Sequence, residues 1–444
     1  AVDLDGVEFW SSDDDLTLGK TETVVKKVGI PKKHYGVNRL IITLESEDEK
    51  IVKEVKYSLS NNSSDNPRNM SAGTVTHLSR NYGRIEEAAP ILANAGFGVV
   101  RGEELPWIGF EQQKGVLKLD DRMKKNIEYF DKYGLKYIQV FNSSVSFYQP
   151  EGIAWNMPVS TPEGYRALER YACEIAKAAG DTLLGIEVWN EYHNSGFSGP
   201  FATNPEVFAQ LHRSVYKGLK SAGTGALTIG LDEDPWGYIE TQIIQKTLDV
   251  LGDEKAMDAV SLHPYALDGA AIENNERLDG FVDGTLSALA EHGYSKDTPL
   301  YITEFGWPDS LFKFDYEKRA ARIIRAMAYY SAKYPNLATL CNYNLFDYAD
   351  VWAAGNISEG TFGLVESYDA AGTEIPHLAK PLYTAFAYWN NLAAENKFIG
   401  YVDGIDSQKE AGYIFKDRNG ENYMILANLE ENDKNIGVKL GVDS

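Results

Sequence analysis

From about residue 71 onward, short apolar runs alternate with amphipathic stretches of helical period. Eight of these runs have the β-branched, continuously hydrophobic character of strands that are covered on both faces. The predicted strands are Val75–Ser79, Gly98–Glu103, Lys136–Phe141, Leu184–Trp189, Leu227–Leu231, Ala259–His263, Leu300–Thr303 and Thr339–Asn344. Strands that alternate with helices indicate a parallel α/β sheet, and eight of them indicate a (β/α)8 TIM barrel.

The helices between the strands carry start and stop signals. Thr161 stands before Pro162, which predicts a helix start at this point, and Gly180 predicts the end of the same helix. Asn204 stands before Pro205 with the same cap chemistry. These signals place helices in the intervals that the strands leave free.

The two ends of the chain have a different pattern. Segments of alternating polarity, without a helical period, predict antiparallel strands at 36–45, 51–59, 398–402, 410–415, 423–427 and 436–440. We therefore expect an accessory antiparallel β-sandwich domain formed from residues 1–70 and 397–444. The catalytic barrel would then comprise residues 71–396.

Composition and charge exclude several classes of function. The 444 residues are 43% hydrophobic and 24% charged, and the net charge is −22. Such a surface repels nucleic acid and anionic lipid, so we expect neither as a partner. No apolar stretch approaches the roughly 18–20 residues that span a bilayer, so membrane insertion is not expected. The first residues lack a signal-peptide pattern, as would a mature secreted protein. We expect a secreted or cell-surface protein, and a cytoplasmic location stays open.

Metal and cofactor chemistry is not indicated. The seven histidines include no His-x-His pair, which disfavours a metal-dependent barrel hydrolase. Cys173 and Cys341 fit two buried thiols, with a single disulfide left open, and they cannot define a metal site. We expect no cofactor and no metal.

Two glutamates stand at the ends of predicted strands. Glu191 follows the fourth strand and Glu304 the seventh, 113 positions later. In a barrel both side chains point into the same mouth, and two facing carboxylates are what cleavage of a glycosidic bond requires. Arg101, at the end of the second strand, is expected to keep Glu304 ionised as a nucleophile. The aromatic neighbours of Glu191, Trp189 and Tyr192, are expected to raise its pKa, so that it acts first as an acid and then as a base.

Three motifs together resemble clan A, the retaining glycoside hydrolases on (β/α)8 barrels, and are nearest to family 39-like and family 5-like enzymes. They are Trp189-Asn190-Glu191, His263-Pro264-Tyr265 and Thr303-Glu304-Phe305-Gly306-Trp307. The resemblance implies that Glu191 is the acid/base, with Asn190 before it, and that Glu304 is the nucleophile. It also implies that Arg101 and Tyr265 support Glu304.

The chain departs from these families at three places. Tyr192 stands where a proline usually follows the acid/base, and Asn142 ends the third strand without the histidine typical of family 5. The eighth strand carries Tyr343 near its end and no tryptophan. The family and the substrate therefore stay open.

Tryptophans cluster in the segments expected at the barrel mouth, and aromatic faces stack on pyranose rings. Trp107, Trp189, Trp236 and Trp307 lie at or just past strand ends, and Trp155 and Trp352 lie in following loops. The complete set of candidate supporting or substrate-binding residues is Arg101, Asn190, His263, Tyr265, Trp107, Asn142, His193, Trp236, Trp307, Tyr343 and Trp352. Other interpretations stay open: Arg101 as a counter-ion of Glu103 or Glu104, His263 as a core residue, and His193 as a loop residue.

The expected function is retaining hydrolysis of β-glycosidic bonds in a neutral polysaccharide of the β-glucan, xylan or mannan type, with endo action. The partner is therefore an oligo- or polysaccharide. An exo-acting β-glycosidase, such as a β-xylosidase, is the first alternative. A non-catalytic barrel that binds polysaccharide is the second.

Overall fold

A computed structural model describes residues 1–2, 6–16, 23, 25, 27, 29–30, 36–59, 67–266, 272–348, 351, 354–366, 378–392, 397–405 and 409–429. The strands are β1 (Gly36–Glu45), β2 (Lys50–Leu59), β3 (Asn69–Val75), β4 (Phe97–Gly102), β5 (Lys136–Phe141), β6 (Leu183–Val188), β7 (Leu227–Glu233), β8 (Ala259–Leu262), β9 (Leu300–Phe305), β10 (Leu337–Asn342), β11 (Lys397–Tyr401), β12 (Glu410–Lys416) and β13 (Asn422–Asn428).

Strands β3 to β10 form a closed parallel barrel, in which each strand pairs with its neighbour in sequence and β10 closes on β3. The predicted TIM barrel is thus confirmed. The first strand was placed wrongly: it runs over Asn69–Val75, whereas the sequence pattern put it at Val75–Ser79. Small and polar residues between Asn69 and Thr74 hide this strand, and Leu78–Arg80 forms a 3₁₀ helix instead.

The helices are α1 (Ile85–Asn94), α2 (Trp107–Phe110), α3 (Asp121–Lys132), α4 (Pro162–Ala179), α5 (Ser195–Ser198), α6 (Pro205–Ala222), α7 (Ile243–Leu251), α8 (Glu276–Glu291), α9 (Tyr316–Lys333) and α10 (Pro381–Leu392). The predicted caps are confirmed: the Thr161 hydroxyl accepts the Gly164 N–H at 3.0 Å, and the Asn204 side chain accepts the Val207 N–H at 2.9 Å. In the part of the chain that the structure describes, every helix is too short or too polar to cross a bilayer.

The main core lies between the barrel and its surrounding helices. On α4, for example, Leu168, Tyr171 and Ile175 are fully buried at the spacing of one helical face. A second buried cluster takes residues from successive barrel strands, including Val99, Ile138 and Ile229. It fills the barrel interior, so the barrel is a packed support for the side chains above it.

Antiparallel sheets flank the barrel, as the sequence predicts. β1 and β2 form a two-stranded sheet, and β11, β12 and β13 form a separate three-stranded sheet. The strand expected at 436–440 lies outside the described residues. Phe415 of β12 packs against Trp389 of α10, with ring centroids 5.4 Å apart. The joining of both termini into one domain, with boundaries at 70 and 396, stays a prediction.

Candidate active site

A cavity of about 670 Å³ opens at the C-terminal end of the barrel and is lined by both Glu191 and Glu304. Glu304 lies in β9, and Glu191 lies three residues beyond the end of β6. One carboxylate oxygen of each residue and one His263 nitrogen all lie within 4.8 Å of one another. The two glutamates, distant in sequence, are therefore neighbours in one cavity.

An unusual backbone brings Glu191 to this position. Trp189 and Glu191 both have left-handed backbone conformations, with φ of 73° and 43°. The Glu191 N–H donates to the Asp232 carbonyl at 2.9 Å, which attaches this turn to the end of β7. Non-glycine residues in this region are strained, and such strain concentrates at functional sites.

Arg101 is the central cation of the site and is fully buried at the end of β4. Its Nη1 donates to Glu304 Oε1 and its Nη2 to Asn190 Oδ1, the latter at 2.8 Å. Its Nε donates to Glu187 Oε2 at 2.5 Å. The alternative in which Arg101 neutralises Glu103 or Glu104 is wrong, because its acidic partners are Glu187, Asp232 and Glu304.

Tyr265 and His263 complete the surroundings of the two glutamates. The Tyr265 hydroxyl donates to Glu304 Oε2 at 2.8 Å. His263 is fully buried, and its Nδ1 lies 3.1 Å from Glu191 Oε1 and 3.9 Å from Glu304 Oε2. Burial alone would lower the pKa of His263, but the charges of Asp232 and Glu304 outweigh it and raise this pKa well above 6.5. His263 therefore lies between two carboxylates whose charges favour its protonated form.

The expected rise in the pKa of Glu191 is wrong. Burial raises the pKa of Glu191, but the hydrogen bond and the charge of His263 outweigh burial, and the net shift is downward. The rings of Trp189 and Tyr192 are fully buried, and Tyr192 stacks on Phe208, with 4.1 Å between ring centroids. The direction of the pKa shift of Glu191 thus depends on His263, which the sequence pattern did not place beside it.

Two predicted substrate-binding residues contact other side chains instead of lining the cavity. His193 Nδ1 lies 2.5 Å from Glu233 Oε2, and its backbone N–H donates to the same carboxylate at 3.1 Å. Burial raises the pKa of Glu233 to about 7. The Asn142 amide donates to Glu103 Oε1 at 2.6 Å, so Asn142 orients an acid that does line the cavity.

The prediction that tryptophans at the barrel mouth stack on sugar rings is largely wrong. Trp107 and Trp307 are only 1% exposed, and Trp189 is completely buried. Trp107 stacks between Tyr148 and Tyr171 in the core, so neither of its faces is free for a sugar ring. Trp307 Nε1 donates to the Ala266 carbonyl at 2.6 Å.

Trp236 and Trp155 are the exceptions, because these residues are 54% and 47% exposed. The Arg277 guanidinium lies 5.0 Å from the Trp236 ring centroid. Trp352 lies outside the described residues. Among the candidate tryptophans that the structure describes, Trp236 alone is exposed, and it lies outside the lining of the cavity.

Tyr343 lines the cavity as predicted, but as a hydrogen-bond donor. Its hydroxyl donates to Glu359 Oε1 at 2.6 Å. Glu359 begins a 3₁₀ helix (Glu359–Thr361) in the segment after β10. Burial, followed by the charges of Glu304 and Glu191, raises the pKa of Glu359. No sequence signal marks this glutamate.

Other cavity residues were also missed by the sequence analysis. They are His77, Arg80, Glu103, Phe197, Asp234, Pro308, Ser310, Leu311, Asn356, Ser358 and Phe362. Glu103 follows β4 and had a usable signal, since polar residues at strand ends face the mouth of a barrel. Most of the others lie in loops or short helices, where periodicity gives no information.

A buried ion network holds one wall of the cavity. Arg319 of α9 donates to the carbonyls of Phe362 and Gly363, and its Nη1 lies 3.0 Å from Asp309 Oδ1. Lys380 adds contacts to Asp309 and to Asp347 Oδ1, the latter at 2.7 Å. The segment that carries Phe362 is thereby fixed to α9 and to the start of α10.

Several clusters of acids and histidine are close enough to hold a cation, among them Glu191, His263 and Glu304. In this cluster the oxygens of Glu304 already accept from Arg101 and Tyr265, and Glu191 faces His263. The arrangement is an ion-pair network, and its chemistry is that of two differently supported carboxylates.

Solved structures with the same fold include sugar-cleaving enzymes. A family 39 glycoside hydrolase from the gut symbiont Bacteroides cellulosilyticus WH2 is 20% identical, with a TM-score of 0.71 over 92% of this chain and 81% of its own. A glucosidase from Croceicoccus marinus is 12% identical, with a TM-score of 0.58 over 81% and 75% of the two chains. An endo-β1,6-glucanase is 14% identical, with a TM-score of 0.56 over 88% and 92%.

At this level of identity the likeness concerns the fold, and it agrees with the expected (β/α)8 barrel. The chain matches no protein-family model. No curated protein matches it at a significant level.

Proposed function

We propose that this protein is a retaining glycoside hydrolase that cleaves β-glycosidic bonds in a neutral oligo- or polysaccharide. The main support is the approach of the Glu191 and Glu304 carboxylates to within 4.8 Å in one cavity. Carboxyl groups of retaining enzymes lie roughly 5–5.5 Å apart, whereas inverting pairs are wider because a water must fit between them. The short separation favours double displacement.

The different partners of the two glutamates support different roles for them. Glu304 accepts hydrogen bonds from Arg101 and Tyr265, which stabilise an ionised carboxylate suited to attack the anomeric carbon. Glu191 has no arginine on its carboxylate among the described contacts, and faces the titratable His263. It is the member of the pair whose proton can be exchanged during the reaction.

The first step forms a covalent intermediate. A carboxylate oxygen of Glu304 bonds to the anomeric carbon as the bond from that carbon to the leaving oxygen breaks. Glu191, in its protonated form, transfers its proton to the leaving oxygen, so that the departing sugar leaves as an alcohol.

The second step restores the enzyme. Glu191, now ionised, takes a proton from a water molecule while the water oxygen bonds to the anomeric carbon. The ester bond to Glu304 breaks and its carboxylate is released. Two inversions give net retention at the anomeric carbon.

The charge of the cavity favours a neutral substrate. Its lining contains the five acids Glu103, Glu191, Asp234, Glu304 and Glu359. Arg80 is the lining residue with a full positive charge, and it pairs with Glu103. A glycan rich in carboxylates or sulfates would meet net repulsion in this cavity.

For the mode of action we propose endo cleavage, supported by the exposed Trp236 ring beyond the end of β7. Such a ring offers a stacking surface outside the immediate surroundings of the two glutamates. Exo action is the alternative, and it would be favoured if the aromatic side chains beside the cavity limit its length: the His77 ring packs against the Tyr343 and Tyr348 rings, at centroid distances of 5.9 and 5.8 Å. A secreted or cell-surface location would suit a polysaccharide substrate and stays a prediction.

Products from a panel of β-glucans, xylans, mannans and galactans distinguish these modes. A ladder of oligosaccharides supports endo action, and release of monosaccharide alone refutes it. Binding of these glycans without hydrolysis of any polymer or aryl glycoside would identify a non-catalytic barrel instead.

Variants of the two glutamates test the assignment of roles. Glu304→Ala should abolish turnover of aryl glycosides. Glu191→Ala should retain turnover of substrates with a good leaving group, and azide should accelerate it and yield a glycosyl azide of retained configuration. Wild-type rates on polymer in both variants would refute the proposed site.

A further inference from the structure

Asp232, at the end of β7, contacts the supports of both proposed catalytic glutamates. Its Oδ1 lies 2.6 Å from His263 Nε2, and its Oδ2 lies 3.3 Å from Arg101 Nη2. Its carbonyl accepts the Glu191 N–H at 2.9 Å. Three separate contacts thus join this one residue to the site.

The partners of Asp232 reach both glutamates directly. Arg101 donates to Glu304 through Nη1, and the Arg101 nitrogen that faces Asp232 also donates to Asn190. His263 reaches Glu191 through the ring nitrogen opposite the one that faces Asp232. A displacement of Asp232 would therefore be transmitted to both sides of the cavity.

Asp232 itself has no access to a substrate. It is completely buried and is absent from the lining of the cavity. Leu231 and Asp232 adopt left-handed backbone conformations, with φ of 77° and 30°. Such conformations persist where the surrounding structure fixes them, and they cluster at functional sites.

We infer that Asp232 is a positioning residue for the reaction: it orients His263 and Arg101 and supplies the negative charge that faces both of them. The inference rests on the proposed function, since it concerns the same pair of glutamates. It adds a residue that neither the sequence motifs nor the resemblance to clan A indicated.

The charge of His263 links Asp232 to proton transfer. The charged or titratable groups that face the imidazole, by contact or through space, are Asp232, Glu191, Glu304, Glu187, Arg101 and Tyr265. Loss of the Asp232 charge lowers the pKa of His263, because it removes the largest of the charges that raise this pKa. His263 then loses its proton at a lower pH, and once it is neutral it no longer lowers the pKa of Glu191. Glu191 then keeps its proton to a higher pH.

The test is the pH dependence of kcat and kcat/KM for Asp232→Asn. We expect kcat to fall by about tenfold or more and the alkaline limb of kcat/KM to move up by about one pH unit, the effect of removing a nearby charge. KM should change little, because Asp232 does not reach the substrate. A fall in kcat by the same factor at every pH, with both limbs unmoved, would mean a purely structural role and overturn the inference. An unchanged kcat would overturn it as well.

Glu104→Gln is the matched control. Glu104 is also a buried carboxyl near the barrel end, but it accepts from the Thr76 hydroxyl and the Leu78 N–H at 3.0 Å and does not line the cavity. Its variant should leave the pH limbs in place. If Asp232→Asn does not fold, His263→Gln must shift the alkaline limb in the same direction, and an unmoved limb overturns the inference.

An NMR titration of the His263 imidazole distinguishes failure of this inference from failure of the proposed function. The imidazole signals of His263, assigned by their loss in His263→Gln, should titrate at a lower pH in Asp232→Asn than in the wild-type protein. Identical titration in the two proteins overturns the inference, whether or not the enzyme turns over. A lower midpoint in a protein that cleaves no glycoside would support the Asp232–His263 coupling and refute only the proposed function.

Discussion

Replacing Lys380 by methionine tests how much the buried network behind the cavity contributes to stability. Lys380 is only 4% exposed and lies between Asp309 and Asp347. Asp309 keeps Arg319 as a partner after the substitution, at 3.0 Å. Among its described contacts Asp347 then keeps only uncharged hydrogen-bond donors, chiefly the Gly363 N–H at 2.8 Å. Lys380→Met therefore leaves one buried carboxylate without its cation.

Breaking a buried ion pair by removing one partner costs about 3–5 kcal/mol, because the remaining charge stays desolvated. The methionine fills most of the space of the lysine stem, so cavity formation adds little. We expect the free energy of unfolding, measured by urea denaturation, to fall by about this amount near neutral pH. Lys177→Met is the control, since Lys177 forms an exposed pair with Glu174 and should leave the unfolding free energy essentially unchanged.

The pH dependence identifies the cause of the loss. Burial already raises the pKa of Asp347, and Lys380 opposes this rise. Without Lys380 the pKa of Asp347 in the folded state is higher still, so the folded protein binds a proton that the unfolded chain does not. Stability of the variant relative to wild type then recovers as pH falls through that folded-state pKa. A loss below about 1 kcal/mol, or one that does not shrink on acidification, would refute this explanation.

Four further predictions concern the site and the tryptophans predicted to lie around it. Arg101→Lys keeps the positive charge but cannot make the several guanidinium hydrogen bonds to Glu304, Glu187 and Asn190. We therefore expect kcat to fall by about 100-fold in steady-state assays, while the circular dichroism spectrum stays that of the folded protein. Trp236→Ala should raise KM for long glycans with little change in the melting temperature. Trp107→Ala should instead destabilise the protein by about 3–5 kcal/mol in denaturation experiments, because its ring is packed in the core. Because His263 lowers the pKa of Glu191, Glu191 should lose its proton at an acidic pH. In a pH–rate profile kcat/KM should therefore decline well below pH 7. A plateau of kcat/KM that extends above neutral pH would contradict this prediction.

The barrel was predictable because its signals are local and repeated. Apolar runs of strand length, separated by capped helices such as that after Thr161, specify alternating β and α elements. The strand-end rule for barrels then brings Glu191 and Glu304 together without any knowledge of their contacts. The same rule places Arg101 beside Glu304.

The predictions that proved wrong, and the site residues that were missed, depend on contacts between distant parts of the chain, which sequence periodicity does not show. Whether Trp107 turns inward or outward is decided by Tyr148 and Tyr171, which pack against it from elements distant in sequence. The net electrostatic effect on Glu191 depends on His263, 72 positions away. Glu359 lies in a short 3₁₀ helix with no periodic signal. Side-chain direction and long-range charge therefore had to come from the structure.

The buried ion network behind one wall of the cavity has a consequence for protein engineering. Arg319 donates hydrogen bonds to the backbone carbonyls of Phe362 and Gly363. Library mutagenesis of this segment would therefore first reduce the yield of folded protein. Trp236 is exposed beyond the end of β7 and takes no part in this ion network, so it offers the safer starting point for directed evolution of altered chain-length preference.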